Sequence, residues 1–169
     1  FVTGATGFIG QFLVANLLKR GQPIYVLIRK SSLKKLAAQR EQWGADEKQV
    51  IAVVGDIGKK SLGIADADVK KLKGKIDHFF HLAAIYDVKA SAEAQQVANV
   101  EGTRHAVQFA QAVQAGCFHH VSSIAAAGLY PGVWREDMFE EAVKLDTFPY
   151  FRTKHESEAV VRNESQRPW

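Results

Sequence analysis

Thr3-Gly4-Ala5-Thr6-Gly7-Phe8-Ile9-Gly10 sets glycines three residues apart between an apolar start, Phe1-Val2, and a run of Phe8, Ile9, Phe12, Leu13, Leu17 and Leu18. That run recurs at three- and four-residue spacing, which puts these side chains on one helical face, and Gly21 after Lys19-Arg20 stops the helix. A strand that turns into a helix through such a loop has a physical use for each glycine. Gly4 and Gly7 let the backbone turn tightly and approach a pyrophosphate. The helix start offers unpaired N–H groups and a positive dipole end, and Gly10 lets helix and strand pack closely. In this context the segment predicts a dinucleotide site rather than a plain turn, with Gly4, Thr6, Gly7, Phe8, Ile9 and Gly10 against the cofactor. Its spacing differs from the common G-x-G-x-x-G form.

Outward from the loop, strand and helix alternate. Phe1 to Gly4 reads as the first strand, and Ile24 to Ile28 and Val50 to Val54 are short runs apolar on both sides, as in parallel strands covered on both faces. Ile76 to Leu82 and Cys117 to Ser123 complete five strands. Ser31 or Ser32 caps a helix through Trp43, Asp68 caps one ending near Lys73-Gly74, and Ser91 to Ala115 forms a long helix with Val97, Val100, Val107, Phe109 and Val113. A last helix runs from about Tyr150 to Asn163, just after Pro149. The expected class is α/β, a Rossmann-type doubly wound parallel sheet with right-handed crossovers and ligands beyond the carboxyl ends of the strands.

Composition narrows the function classes. The 169 residues are 47% hydrophobic and 24% charged, which excludes disorder and fits one domain. Lys and Arg number 22 against 18 acids, a net charge of +4, but the main basic cluster, Lys70, Lys71, Lys73 and Lys75, interleaves with Asp66, Asp68 and Asp77 and has no aromatic platform. A solvated surface is expected there, not a nucleic-acid partner. His105 to Trp134 carries no Asp, Glu, Lys or Arg, yet its glutamines, histidines and serines leave too few consecutive apolar residues for a membrane span. The one cysteine, Cys117, allows no internal disulfide and fits a reducing, cytoplasmic setting with an inert packing role. The six histidines lack metal-ligand spacing and acidic company, so no metal site is expected. His119 and His120 point to opposite faces of their strand.

Candidate chemistry lies at the strand ends. After the second strand stand Arg29, Lys30, Ser31 and Ser32, with no acid before Glu41. A basic residue there suits the extra phosphate of NADP(H), with NAD(H) as the alternative. Asp56, directly after the third strand, is placed for the adenine edge. Tyr150 has Lys154 four residues on, the same helical face, and Ser122-Ser123 end the fifth strand where a nicotinamide would lie. An ammonium one turn away stabilises negative charge on a phenol oxygen that passes its proton on, so the set reads as a proton relay for hydride transfer.

Thr-Gly-Ala-Thr-Gly-Phe-Ile-Gly at 3–10, Gly-Asp-Ile at 55–57, His-Leu-Ala-Ala at 81–84, Asn-Val-Glu-Gly-Thr at 99–103, Val-Ser-Ser-Ile at 121–124 and Tyr150-x-x-x-Lys154 together resemble the extended short-chain dehydrogenase/reductases. The resemblance implies that Tyr150 is the general acid and that Lys154 holds the nicotinamide ribose. It implies that Asn99 supports a proton-relay water, and that Asp56, Ile57, Ala83 and Ala84 pass along the cofactor. A serine would orient the substrate carbonyl. Ser123 is chosen over Ser122 by similarity to the 3β-hydroxysteroid dehydrogenase-like branch. Ala125-Ala126-Ala127-Gly128 departs from the Val-Tyr-Gly ending usual in sugar epimerases.

Val-Leu-Ile-Arg at 26–29 and Gly-Asp-Ile followed by Ser61-Leu62-Gly63-Ile64 resemble the thioester and fatty acyl reductase branch, which implies NADPH and a carrier- or CoA-bound acyl substrate. A hydroxysteroid-like ketone stays open, as does a homodimer. The alternatives are a nucleotide-sugar epimerase/dehydratase-like enzyme and a non-catalytic NADP(H) sensor. The chain starts on Phe1 and stops at Arg167-Pro168-Trp169, where the resemblance implies a sixth strand and then a substrate lobe. The expectation is therefore the cofactor half of a larger enzyme, residues 1–169 including the Tyr–Lys helix.

Overall fold

The computed structural model describes residues 1–86 and 90–169. Five parallel strands, β1 (Val2–Thr3), β2 (Ile24–Ile28), β3 (Val50–Val54), β4 (His78–His81) and β5 (Cys117–His120), form one sheet in the order β3-β2-β1-β4-β5. The helices are α1 (Phe8–Leu18), α2 (Leu33–Trp43), α3 (Asp66–Leu72), α4 (Ala92–Gln95), α5 (Gly102–Ala112) and α6 (Pro149–Glu164). Because the chain leaves β1 for β2 on one side and returns to β4 on the other, the connections diverge beyond the carboxyl end of β1 and open a crevice there.

Alternation along each strand sends side chains to two cores. Val2, Ile24, Val26, Ile28 and Val50 pack with Val14 and Leu36 on the α1/α2 face. Leu27, Phe79 and Phe118 pack with Val107, Phe109 and Val161 on the other face, where the rings of Phe79 and Phe118 stack at 5.3 Å. Both-sided apolar runs thus form the expected parallel strands: β2 and β3 have the expected bounds, whereas β1, β4 and β5 are shorter than the stretches expected for them.

Three expectations are corrected. In α1 the inward residues are Gly10 and Val14, with Leu13, Leu17 and Leu18 beside them, whereas Phe8, Ile9 and Phe12 are 80%, 56% and 59% exposed. Gly10 sits so close to the loop that a Cβ on it would lie 2.1 Å from the Gly4 carbonyl oxygen, and this approach fixes which face turns inward. The long helix expected over 91–115 is broken: Ser91 caps α4 by accepting from Ala94 N–H, Gln96–Glu101 form a π-helical turn, and α5 follows. The hydroxyl of Ser32, expected as a cap for α2, makes no cap hydrogen bond, and Lys30–Ser32 form a 3₁₀ turn instead. Among the described residues no helix is long and apolar enough to cross a membrane.

Candidate active site

The glycine loop closes on itself and on β4. Gly7 N–H donates to the Gly4 carbonyl at 3.0 Å, and Gly4 adopts φ +73°, a left-handed conformation that suits glycine. A Cβ on Gly4 would stand 2.8 Å from Ala83 N, so only a bare backbone lets the loop lie against the turn that follows β4. Thr3 Oγ1 accepts from Ala83 N–H at 3.2 Å and ties the same two segments together. Gly7 precedes α1 without any side-chain cap, and no acidic residue occupies the first turn. The first N–H groups of this eleven-residue helix therefore face the crevice free for an anion, and a backbone cradle this tight fits a pyrophosphate.

At the end of β2, Arg29 is exposed and has no ion pair among the described residues. After β3, Asp56 Oδ1 accepts from Gly58 N–H at 2.9 Å in a turn, which leaves Oδ2 for another partner. The Ile57 carbonyl accepts from His105 Nδ1–H at 2.9 Å, and the Ile57 side chain lies against Gly102 at the start of α5. Ala83 is half-buried and Ala84 exposed beyond β4.

Asn99 sits in the π-helical turn, 1% exposed. Its Oδ1 accepts from Ile85 N–H at 2.7 Å, and its Nδ2 donates to the Ile85 carbonyl at 3.2 Å and to Thr153 Oγ1 at 3.1 Å. One amide thus pins the segment after β4 to α6. A π turn is a frequent device for re-aiming a helix side chain at a functional site.

Pro149 starts α6, where its missing N–H costs nothing, and Tyr150 follows in the first turn, half-buried and edge-on to the Tyr86 ring at 5.0 Å. Lys154, one turn on, is 3% exposed and its ammonium donates to the Val121 carbonyl at 3.0 Å, just beyond β5. Burial lowers its pKa from 10.5 to about 8, partly opposed by the Glu158 carboxylate. The two serines differ. Ser122 donates its hydroxyl proton to Glu158, whereas Ser123 Oγ accepts from Ala125 N–H at 3.2 Å and keeps its own proton available. The structure therefore brings Asn99, Ser123, Tyr150 and Lys154 to the carboxyl ends of β4 and β5. Thr153, which holds Asn99, Glu158, which holds Ser122, and Thr3, which holds the turn after β4, carry no spacing motif that could have singled them out.

The extended short-chain dehydrogenase/reductases bind NAD(P) at a switch point of this construction, and the chain corresponds to the N-terminal, NAD(P)-binding part of such enzymes. It belongs to the family described as male sterility protein, which matches residues 2–169. It is 29% identical to the aldehyde reductase lnaA of Aspergillus flavus over 99% of this chain, which spans 17% of that protein. Its fold superposes on the terminal R domain from the myxalamid PKS-NRPS biosynthetic pathway with a TM-score of 0.79 and 29% identity, covering 95% of this chain and 44% of that one. UDP-glucuronic acid 4-epimerase from Bacillus cereus, solved with UDP-glucuronic acid and NAD, gives a TM-score of 0.71 and 26% identity over 95% of this chain and 50% of that one.

Proposed function

We propose that this chain is the cofactor-binding half of an NADP(H)-dependent oxidoreductase whose substrate is an acyl thioester or carbonyl, the acyl group being carried on a carrier domain or CoA. Similarity to an aldehyde reductase and to a domain from a PKS-NRPS pathway supports the substrate class. The observation that carries the reading is the pairing on α6 of Tyr150 with a buried Lys154 that donates to Val121, with Ser123 just beyond β5 donating its hydroxyl proton to nothing among the described residues.

The residues divide the work. Gly4, Thr6, Gly7, Phe8, Ile9 and Gly10 line the pyrophosphate cradle, Asp56 and Ile57 the adenine side, and Ala83 and Ala84 the wall beyond β4. Arg29 faces the 2′-phosphate, and an exposed guanidinium with no ion pair among the described residues is suited to that charge. Bound NADPH supplies the hydride. Ser123 Oγ–H donates to the substrate oxygen and Tyr150 gives that oxygen its proton. Lys154 holds the ribose, and with a pKa near 8 it exchanges a proton readily close to neutral pH. Asn99 keeps the Tyr–Lys helix against the β4 turn and supports the proton path.

The test is NADPH consumption by the purified intact protein on a panel of acyl-pantetheine thioesters and aldehydes, with UDP-sugars alongside. Reduction of a thioester or aldehyde is the expected result. Interconversion of a UDP-sugar without net NADPH consumption would replace this reading with an epimerase.

A further inference from the structure

Two histidines on neighbouring strands lie outside the roles above. His81 and His120 are register partners on β4 and β5, and their rings stack at 5.7 Å with an interplanar angle of 21°, beneath α5 and α6. Each meets a hydroxyl on one helix. His81 Nε2 lies 3.1 Å from Thr103 Oγ1, and His120 Nε2 lies 3.3 Å from Ser157 Oγ.

Both hydroxyl protons are already committed. Thr103 donates to the backbone carbonyl of Asn99 at 2.6 Å, and Ser157 donates to the backbone carbonyl of Lys154 at 2.8 Å. Carbonyls only accept, so each hydroxyl must accept from its histidine, and both rings carry their proton on Nε2. The other nitrogens agree. His81 Nδ1 then accepts from Thr3 Oγ1–H at 2.8 Å, while Thr3 accepts from Ala83 N–H. His120 Nδ1 is buried and has no hydrogen-bond partner among the described residues, and a bare acceptor there costs less than an orphaned N–H would. Burial and then the Lys154 ammonium lower His81 to about 3, and burial, then the His81 ring and the Lys154 ammonium, lower His120 to about 2, so both imidazoles stay neutral.

We propose that His81 and His120 are a matched pair of positioning residues, each gripping through one hydroxyl the backbone carbonyl of a residue at the reaction centre: His81 through Thr103 on Asn99, and His120 through Ser157 on Lys154. The pair makes one rigid floor, two adjacent strands, that sets the height of both helices. His81 extends it through Thr3 to the glycine loop. The inference rests on the roles given to Asn99 and Lys154 in the proposed function.

Ring-¹⁵N-labelled histidine in the intact protein reads the tautomers directly. Both rings in the neutral Nε2–H form down to about pH 5 are expected, since ordinary histidines titrate near 6.5. Either ring in the Nδ1–H form, or titrating near 6.5, overturns the proposal, and this readout stands whether or not the protein reduces a carbonyl. An inactive wild type with both rings Nε2–H would instead refute the proposed function alone. In an active protein, Thr103→Val and Ser157→Ala each lower kcat roughly tenfold, with the substrate KM and the NADPH affinity within about twofold. The variants Thr103→Ser and Ser157→Thr restore the rate. Unchanged kcat in the first pair, or an equal loss in the conservative pair, overturns the positioning role.

Discussion

Lys154 stores a measurable cost in the native state. Its pKa falls from 10.5 to about 8 because 97% of the residue is removed from solvent, which corresponds to about 3 kcal/mol at ~1.4 kcal/mol per tenfold change. Between pH 8 and 10.5 the folded protein binds fewer protons than the unfolded chain, so this group makes stability rise with pH across that window. Below pH 8 the full cost is present, and above 10.5 it vanishes. Replacing the ammonium in Lys154→Met removes the cost but leaves the Val121 carbonyl without its donor, a loss of about 1 kcal/mol. The variant should therefore be about 2 kcal/mol more stable than the parent near pH 7, and the advantage should shrink and reverse by pH 10.5. Urea unfolding of both proteins at several pH values measures this difference. A variant less stable near pH 7, or a difference that stays constant with pH, would refute the account of Lys154 as a desolvated ammonium. The same variant should lose reductase turnover, which is how a functional site costs stability.

Other outcomes follow from close contacts and from charge. Gly10→Ala should destabilise the protein by about 3 kcal/mol or more in thermal or urea unfolding, because its Cβ meets backbone atoms at 2.1 and 2.8 Å. Gly21→Ala, in open space at φ +73°, should cost only about 1–2 kcal/mol from the left-handed backbone. Arg29→Ser should weaken NADPH binding roughly tenfold or more by fluorescence titration and leave NADH within about twofold. Equal affinities of the parent for the two cofactors would remove Arg29 from the site.

Periodicity identified the strands because parallel strands covered on both faces must be apolar on both, and Ile24 to Ile28 and Val50 to Val54 are. The glycine loop was legible for a similar reason, since close backbone approach leaves no room for side chains at Gly4 and Gly10. Which side of α1 faces inward was not legible. Phe8, Ile9 and Phe12 share a face with the leucines by spacing, but the contact of Gly10 with the Gly4 turn rotates them outward. The π turn at Gln96–Glu101 was hidden too, because slipping one hydrogen bond along a helix changes no residue pattern. Tyr150 and Lys154 stand one turn apart and announce themselves. The partners of Asn99, in contrast, are Ile85, 14 residues away, and Thr153, 54 residues away, and only the folded chain joins them. The sequence shows only that His81 and His120 lack metal-ligand spacing, since the hydroxyls that give them a task lie on two separate helices.

The central claim is that Tyr150 hands its proton to the substrate oxygen, and the Tyr150→Phe variant of the intact protein tests it with the least ambiguity. With the thioester or aldehyde that the parent reduces, kcat should fall by about 10²–10⁴-fold, the range for losing a general acid, while NADPH still binds with near-parental affinity. A Tyr150→Phe protein that keeps full NADPH-dependent turnover would contradict it.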